Sequence, residues 1–259
     1  ILEFANEKGL FVIEDCAQAH GGRFNEKPLG SFGHISAFSF CQDKIMTTAG
    51  EGGMVVTNDT ELWQRAWSFK DHGKDWDLVN APSDGTYRFL HTSFGTNFRM
   101  TEIQAAVGRI QLQRLDTWHA ERHENARFLS EGLRNCPGLT IFEPPSYCEH
   151  AYYRLYGYIQ EEKLKSGWTR DQIIKVVREK GFNLGSGSCA EIYREDAFKK
   201  YGKPIVLENA QKAQKNSLAF SVHPFLEKKS LEELIQVLVN VFNDAIETDF
   251  PDVGTAHAA

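Results

Sequence analysis

Apolar residues recur along this chain with two different periods. Between Gly9 and the acidic pair Glu14-Asp15 stands the run Leu10-Phe11-Val12-Ile13, which predicts a buried strand whose carboxyl end presents a carboxylate. Residues 35–40 predict a second strand, and Gly53-Met54-Val55-Val56-Thr57, ended by Asn58-Asp59, a third. Over residues 59–69 the period becomes helical, with Leu62, Trp63, Ala66 and Trp67 on one side. Residues 68–98 are polar, carry aromatics and contain Pro82, Gly85 and Gly95, and read as a long ordered loop, of the kind used as a lid or interface arm, with a floppy insertion as the alternative that composition leaves open. Thr101-Glu102-Ile103-Gln104 then fits a capping box. Ile103, Val107 and Ile110, followed by Leu115 and Trp118, extend a helix towards Leu133.

Beyond it, residues 139–142 and 152–159 alternate as strands do, with Pro144-Pro145 between them. Residues 169–180 predict a helix with Ile173, Ile174 and Val177 inward and Gly181 as its stop. A strand over 217–222 and an amphipathic helix over 231–246 complete the pattern, and 254–259 is expected to fray. Strands mixed with helices imply a layered α/β domain over 1–115, and an α+β pattern a smaller second domain over 116–259. The first nine residues read as the last turns of an amphipathic helix begun upstream, stopped at Gly9. With no initiator Met, the chain is expected to be the C-terminal part of a longer protein.

Composition narrows the classes. The 259 residues are 41% hydrophobic and 25% charged, ordinary globular values that allow one large domain or two smaller ones. A formal charge of -6 argues against a general nucleic-acid binder. No window approaches the run of about 18 apolar residues that a membrane helix needs, and the first residues lack the features of a signal peptide. Five cysteines without a CxxC pair predict reduced thiols in a cytoplasmic protein.

Three signals for chemistry stand close together. Ile13-Glu14-Asp15-Cys16-Ala17-Gln18-Ala19-His20-Gly21 places Asp15 at a strand end, Gln18 three residues on, and glycines after them. Ser39-Phe40-Cys41-Gln42-Asp43-Lys44 and Gly50-Glu51-Gly52-Gly53 follow. A lysine at a strand end, five residues after a serine and ahead of a glycine cluster, is a candidate catalytic amine, although most lysines are surface charges. His20, His72, Glu51 and His223 lie near these or later motifs, and for each a packed or turn-forming role is expected.

These segments, with Gly30-Ser31-Phe32-Gly33, Phe38-Ser39-Phe40, Asn97-Phe98-Arg99-Met100-Thr101-Glu102-Ile103-Gln104-Ala105-Ala106 and, more loosely, Gly187-Ser188-Cys189-Ala190-Glu191-Ile192-Tyr193, resemble the DegT/DnrJ/EryC1/StrS sugar aminotransferases. The order is kept along nearly the whole chain. The resemblance implies a fold-type I, aspartate-aminotransferase-like enzyme: the remainder of a large domain, mainly parallel sheet with flanking helices, followed by a small α+β domain. It implies pyridoxal 5'-phosphate bound covalently through Lys44, whose amine would also move the proton during transfer. Asp15 would pair with the pyridinium nitrogen and keep it protonated. Gln18 would bond the ring's 3' oxygen or flank the ring, Ser39 would donate to the phosphate, and Asn97 would reach the cofactor phosphate of a second subunit in an obligate homodimer with shared sites. A nucleotide-linked keto-deoxysugar is the implied substrate and L-glutamate the implied donor. No metal is implied.

The chain departs from the family at Cys41-Gln42-Asp43, where His-Pro-Thr is frequent, and this leaves the substrate open. Relatives with histidine in place of the lysine are sugar dehydratases, and the presence of Lys44 favours amino transfer. A catalytically silent or regulatory fragment is the rival of another class. The family's N-terminal region, with a phosphate-binding helix start and a ring-stacking aromatic, has no counterpart in these residues.

Overall fold

The computed structural model describes residues 1–202 and 205–247, and the tail expected to fray lies outside them. The chain divides into two compact units, one of Ile1–Ala120 and Pro144–Tyr153, the other of Glu121–Glu143 and Arg154–Ala259. The division falls inside one long helix, and the return of 144–153 to the first unit is a long-range event that no local period encodes.

The first unit begins with α1 (Leu2–Glu7). Gly9 follows it at φ 61°, and the Leu10 amide donates back to the Ala5 carbonyl, the left-handed glycine stop read from the sequence. Then come β1 (Ile13–Asp15), the two-residue strands β2 (Arg23–Phe24) and β3 (Lys27–Pro28), β4 (Ile35–Ser39) and β5 (Gly53–Val56). β1 and β4 pair in parallel, Asp15 opposite Ala37, and β5 runs antiparallel to β4, with Ser39 opposite Gly53. The run 10–13 was expected to be buried, and here the structure differs. Only Ile13 belongs to the strand, and Phe11 and Ile13 are 74% and 70% exposed. An apolar run records a capacity for burial, and which neighbour covers it is decided elsewhere in the chain.

α2 (Thr60–Lys70) starts where expected, with Asp59 accepting from the Leu62 amide. The stretch read as a loop contains α3 (Trp76–Asn80), capped by Asp75, whose Trp76 ring meets Trp63 and Trp67 of α2 edge-on at 4.6 and 4.9 Å. Isolated bridges Asp71↔Asn97 and Lys74↔His91 hold the stretch. Five residues are too few for a helical period to register, so tertiary contact decides this element. α4 (Glu102–Leu133) is entered through the predicted box: the Gln104 amide donates to Thr101 Oγ1, and the Thr101 amide to Gln104 Oε1 at 2.9 Å.

In the second unit, β6 (Leu139–Ile141) follows α4. β7 (Cys148–Glu149) belongs to the first unit and pairs with β2. β8 (Leu155–Ile159), α5 (Arg170–Glu179), β9 (Leu184–Gly185), α6 (Glu208–Asn216), β10 (Ser217–Phe220) and α7 (Lys228–Ala245) complete the described elements. The sheet order is β6-β8-β10-β9, antiparallel at each junction. All four residues of β10 are buried, and Phe220, Leu218, Val177, Ile173, Leu238 and Phe242 are almost wholly so. This is the larger core of the two. The sequence reading missed β2, β3, β7, β9 and α6: two-residue strands have no period, and no residue of α6 is buried.

Candidate functional site

The carboxyl ends of β1 and β4 lie on one edge because the two strands are parallel, and in open α/β sheets that edge is where ligands are held. Consecutive residues of a strand face opposite ways, and Glu14 and Asp15 take different work accordingly. Glu14 turns to the 30–33 turn, accepting from the amides of Gly30 at 2.8 Å and of Phe32 and Gly33 at 2.6 Å. Asp15 is exposed, and one oxygen accepts from the Ala17 amide at 3.0 Å. Gln18 is exposed in the turn that follows. Cys16 between these acids is buried; burial, then Glu14 and Asp15, push its thiol up to about 11, so it stays protonated at neutral pH.

Ser39 ends β4. Its Oγ accepts from the Cys41 amide at 3.3 Å, leaving the hydroxyl proton to donate elsewhere. Lys44 lies in the turn after β4, its amide donating to the Cys41 carbonyl at 3.0 Å and its side chain 16% exposed. The Lys44 turn is tied down along its length. Phe40 donates to the Gly52 carbonyl at 2.8 Å and accepts from Thr47 Oγ1 at 3.0 Å. The first turns of α4 add Gln111, accepting from the Thr47 amide at 2.8 Å, and Gln104, donating to the Glu51 carbonyl at 2.7 Å. Gly52 answers a need for space rather than for φ, since a Cβ there would run into Thr48 Oγ1. The Gly50–Gly53 cluster and Gln104 of the Asn97–Ala106 motif thus have a common physical reason: both brace the turn that carries Lys44.

Asn97 sits on a different feature. It is exposed, its backbone bridges Asp71, and its Oδ1 accepts from the Arg99 amide at 3.4 Å. Arg99 and Lys74 both pair with the buried Asp71 carboxylate. Burial alone would raise that carboxyl, but the two cations outweigh it and hold it below its usual range. The structure therefore brings Asp15, Ser39 and Lys44 to one strand edge and its following turn, and supports Asn97 separately.

The four residues set aside as packed or turn-forming take those places. His20 is buried beside the rings of Phe38 and Phe40 at 5.4 and 5.9 Å. His72 turns the chain at φ 63°. Glu51 accepts from the Cys41 thiol at 3.4 Å. The His223 carbonyl accepts from Asn125 Nδ2 at 3.1 Å, and burial, with Arg122 and Arg154 adding to it, lowers its imidazole below the usual value. Sequence reasoning missed Asp43 and Tyr153. The Tyr153 hydroxyl donates to Asp43 Oδ2 at 2.6 Å, and Lys44 Nζ lies 3.8 Å from Asp43 Oδ1 and 5.0 Å from the centre of the Tyr153 ring. Only the departure at Cys41-Gln42-Asp43 hinted at it.

An amine, a carboxylate and a hydroxyl around the carboxyl ends of parallel strands match one class, an aminotransferase fold. In agreement, a solved aminotransferase from Psychrobacter cryohalolentis superposes with TM-score 0.90 at 43% identity, over 94% of this chain and 64% of that one. The profile of the DegT/DnrJ/EryC1/StrS aminotransferase family matches residues 1–239, and the chain belongs to that family. It is 42% identical over 135 residues to GDP-perosamine synthase of Escherichia coli O157:H7, covering 52% of this chain and 34% of that protein. To spore coat polysaccharide biosynthesis protein SpsC of Bacillus subtilis it is 30% identical over 251 residues, 95% of this chain and 63% of that one. The chain thus spans between about a third and somewhat under two thirds of these relatives. The family consists of pyridoxal-phosphate enzymes. The residues present fit that group: an amine to hold it, a carboxylate with a free oxygen for a ring nitrogen, and a hydroxyl with a proton to give a phosphate. No described helix is long and apolar enough to cross a membrane.

Proposed function

We propose that the protein from which this chain comes is a pyridoxal-phosphate-dependent aminotransferase that converts a nucleotide-linked keto-deoxysugar to its amino sugar, with L-glutamate as donor. The observation that supports this most is Lys44 in a braced turn one strand end away from Asp15 and Ser39, in a chain of this family. When bound, the cofactor supplies an electron sink for the pair left behind as a carbon-bound proton is removed. The chain's own residues do the rest. Lys44 carries the cofactor and, once its amine is released, takes and returns the proton at the substrate carbon. Asp15 pairs with the ring nitrogen and keeps that nitrogen protonated. Ser39 and Gln18 orient the group through its phosphate and its ring oxygen. Asn97, on its own support, serves the phosphate of a second copy in a homodimer, and the protein works in the cytoplasm. The relatives support the substrate class, since one is a GDP-sugar enzyme by name and another a polysaccharide-biosynthesis protein.

The test is transamination of a panel of nucleotide keto-sugars by the complete gene product, with Lys44→Ala beside it. The wild type should aminate at least one sugar and develop a visible near-ultraviolet band with cofactor that borohydride removes. Lys44→Ala should do neither while keeping its fold, and Lys44→Arg should fail nearly as completely, because a guanidinium stays protonated. More than a trace of turnover in Lys44→Ala overturns the reading.

A further inference from the structure

Amino transfer requires the lysine amine to be set free and bonded again in every cycle, because the incoming amino group takes its place on the cofactor. A free lysine has a flexible four-carbon stem with many rotamers, and proton transfer demands that the amine stay within reach of one carbon. Something must keep it there. We propose that Asp43 and Tyr153 are positioning residues that hold the Lys44 amine whenever it is not bonded to the cofactor, an inference that rests on Lys44 being the cofactor lysine.

The geometry is a chain of three groups. The Tyr153 hydroxyl fixes Asp43 Oδ2 at 2.6 Å. The carboxylate's other oxygen, Oδ1, lies 3.8 Å from Lys44 Nζ. The face of the Tyr153 ring, 5.0 Å from the same nitrogen, offers a second attraction to a cation. A lone carboxylate next in sequence to the lysine would be free to rotate away. A hydroxyl brought from 110 residues further along the chain removes that freedom, and it binds the carboxylate oxygen that the amine does not use. The same hydroxyl, ahead of the opposing effect of burial, holds the Asp43 carboxyl below its usual range, so the group is ionised throughout neutral pH. All three residues lie in the first unit. Their distances therefore belong to one compact body. The sugar-recognising residues need not be involved, and the device would act identically in both halves of the reaction.

The experiment is pulse acylation of lysines with acetic anhydride in the cofactor-free gene product, read by mass spectrometry at Lys44 and at Lys175 and Lys229 as internal references. Asp43→Asn and Tyr153→Phe should each raise the labelling rate of Lys44 several-fold and leave the two references unchanged, with Asp43→Glu restoring most of the protection. In the loaded enzyme both variants should lower kcat and spare KM for the keto-sugar. If Asp43→Asn raises all lysines together, structure has been lost, and Tyr153→Phe, which removes a single oxygen, decides alone. An unchanged Lys44 rate in Tyr153→Phe overturns the inference. If Lys44→Ala remains active, the functional reading fails with it; if Lys44→Ala is dead and the labelling does not change, only the holding site is wrong.

Discussion

Two neighbouring acids on one short strand face different surroundings. Glu14 spends its carboxylate on three amides of the 30–33 turn, and Asp15 keeps an oxygen available beside Lys44's strand edge. Exchange of their roles is blocked by the strand's alternation, since moving one residue along reverses the face. Asp15→Asn is therefore expected to keep some cofactor and lose most turnover: the amide still bonds the ring nitrogen but no longer favours its protonated form. Cofactor retention by absorbance and kcat on the same preparation check this. A wild-type rate in Asp15→Asn removes Asp15 from the ring nitrogen.

At the scale of elements, the support of Asn97 is an ion-paired clamp. Asp71, just past the end of α2, binds Arg99 and Lys74, so the backbone bridge between 71 and 97 is reinforced by charge. Because its folded carboxyl is held below the usual value, the stabilisation is present above the unfolded value of about 3.9 and is lost as pH falls through the lower, folded one. Arg99 is partly exposed, which screens the pair, so Asp71→Asn should cost on the order of 1 kcal/mol or less at pH 7. Denaturant unfolding from pH 7 down to pH 3 should show the gap between wild type and variant closing below about pH 4. A gap independent of pH would mean the clamp acts through shape rather than charge.

For the whole molecule, the separate supports of Lys44 and Asn97 lead to a test of assembly. Lys44→Ala and Asn97→Asp are each expected to be inactive, the second because its carboxylate repels the cofactor phosphate. Mixed after dissociation and reassembly, they should regain part of the activity. Some mixed dimers would hold one site with the lysine from one chain and the asparagine from the other. Full activity of Asn97→Asp alone removes the phosphate contact. No recovery on mixing means that the asparagine serves its own subunit.

What the sequence determined by itself is what depends on neighbours in the chain. The Thr101–Gln104 box and the Gly9 stop are set by groups three to five residues apart, and the structure has both. The faces of α5 and α7 were legible for the same reason, as Ile173, Ile174 and Val177 recur with the helix period and are buried. The strand-end places of Asp15 and Ser39, with Lys44 in the turn that follows, were legible because short apolar runs end at them. Tertiary structure decided the remainder. The pairings of β2 with β7 and of β9 with β10, and the return of 144–153 to the first unit, depend on partners tens of residues away. β3 and α3, whose partners are nearer, are too short to show a period, and the exposure of Phe11 and Ile13 was set by what the rest of the chain leaves uncovered. Asp43 and Tyr153 belong with them. A carboxylate and a phenol 110 residues apart carry no shared period or spacing, and only the folded chain puts a hydroxyl 2.6 Å from an oxygen that faces a lysine.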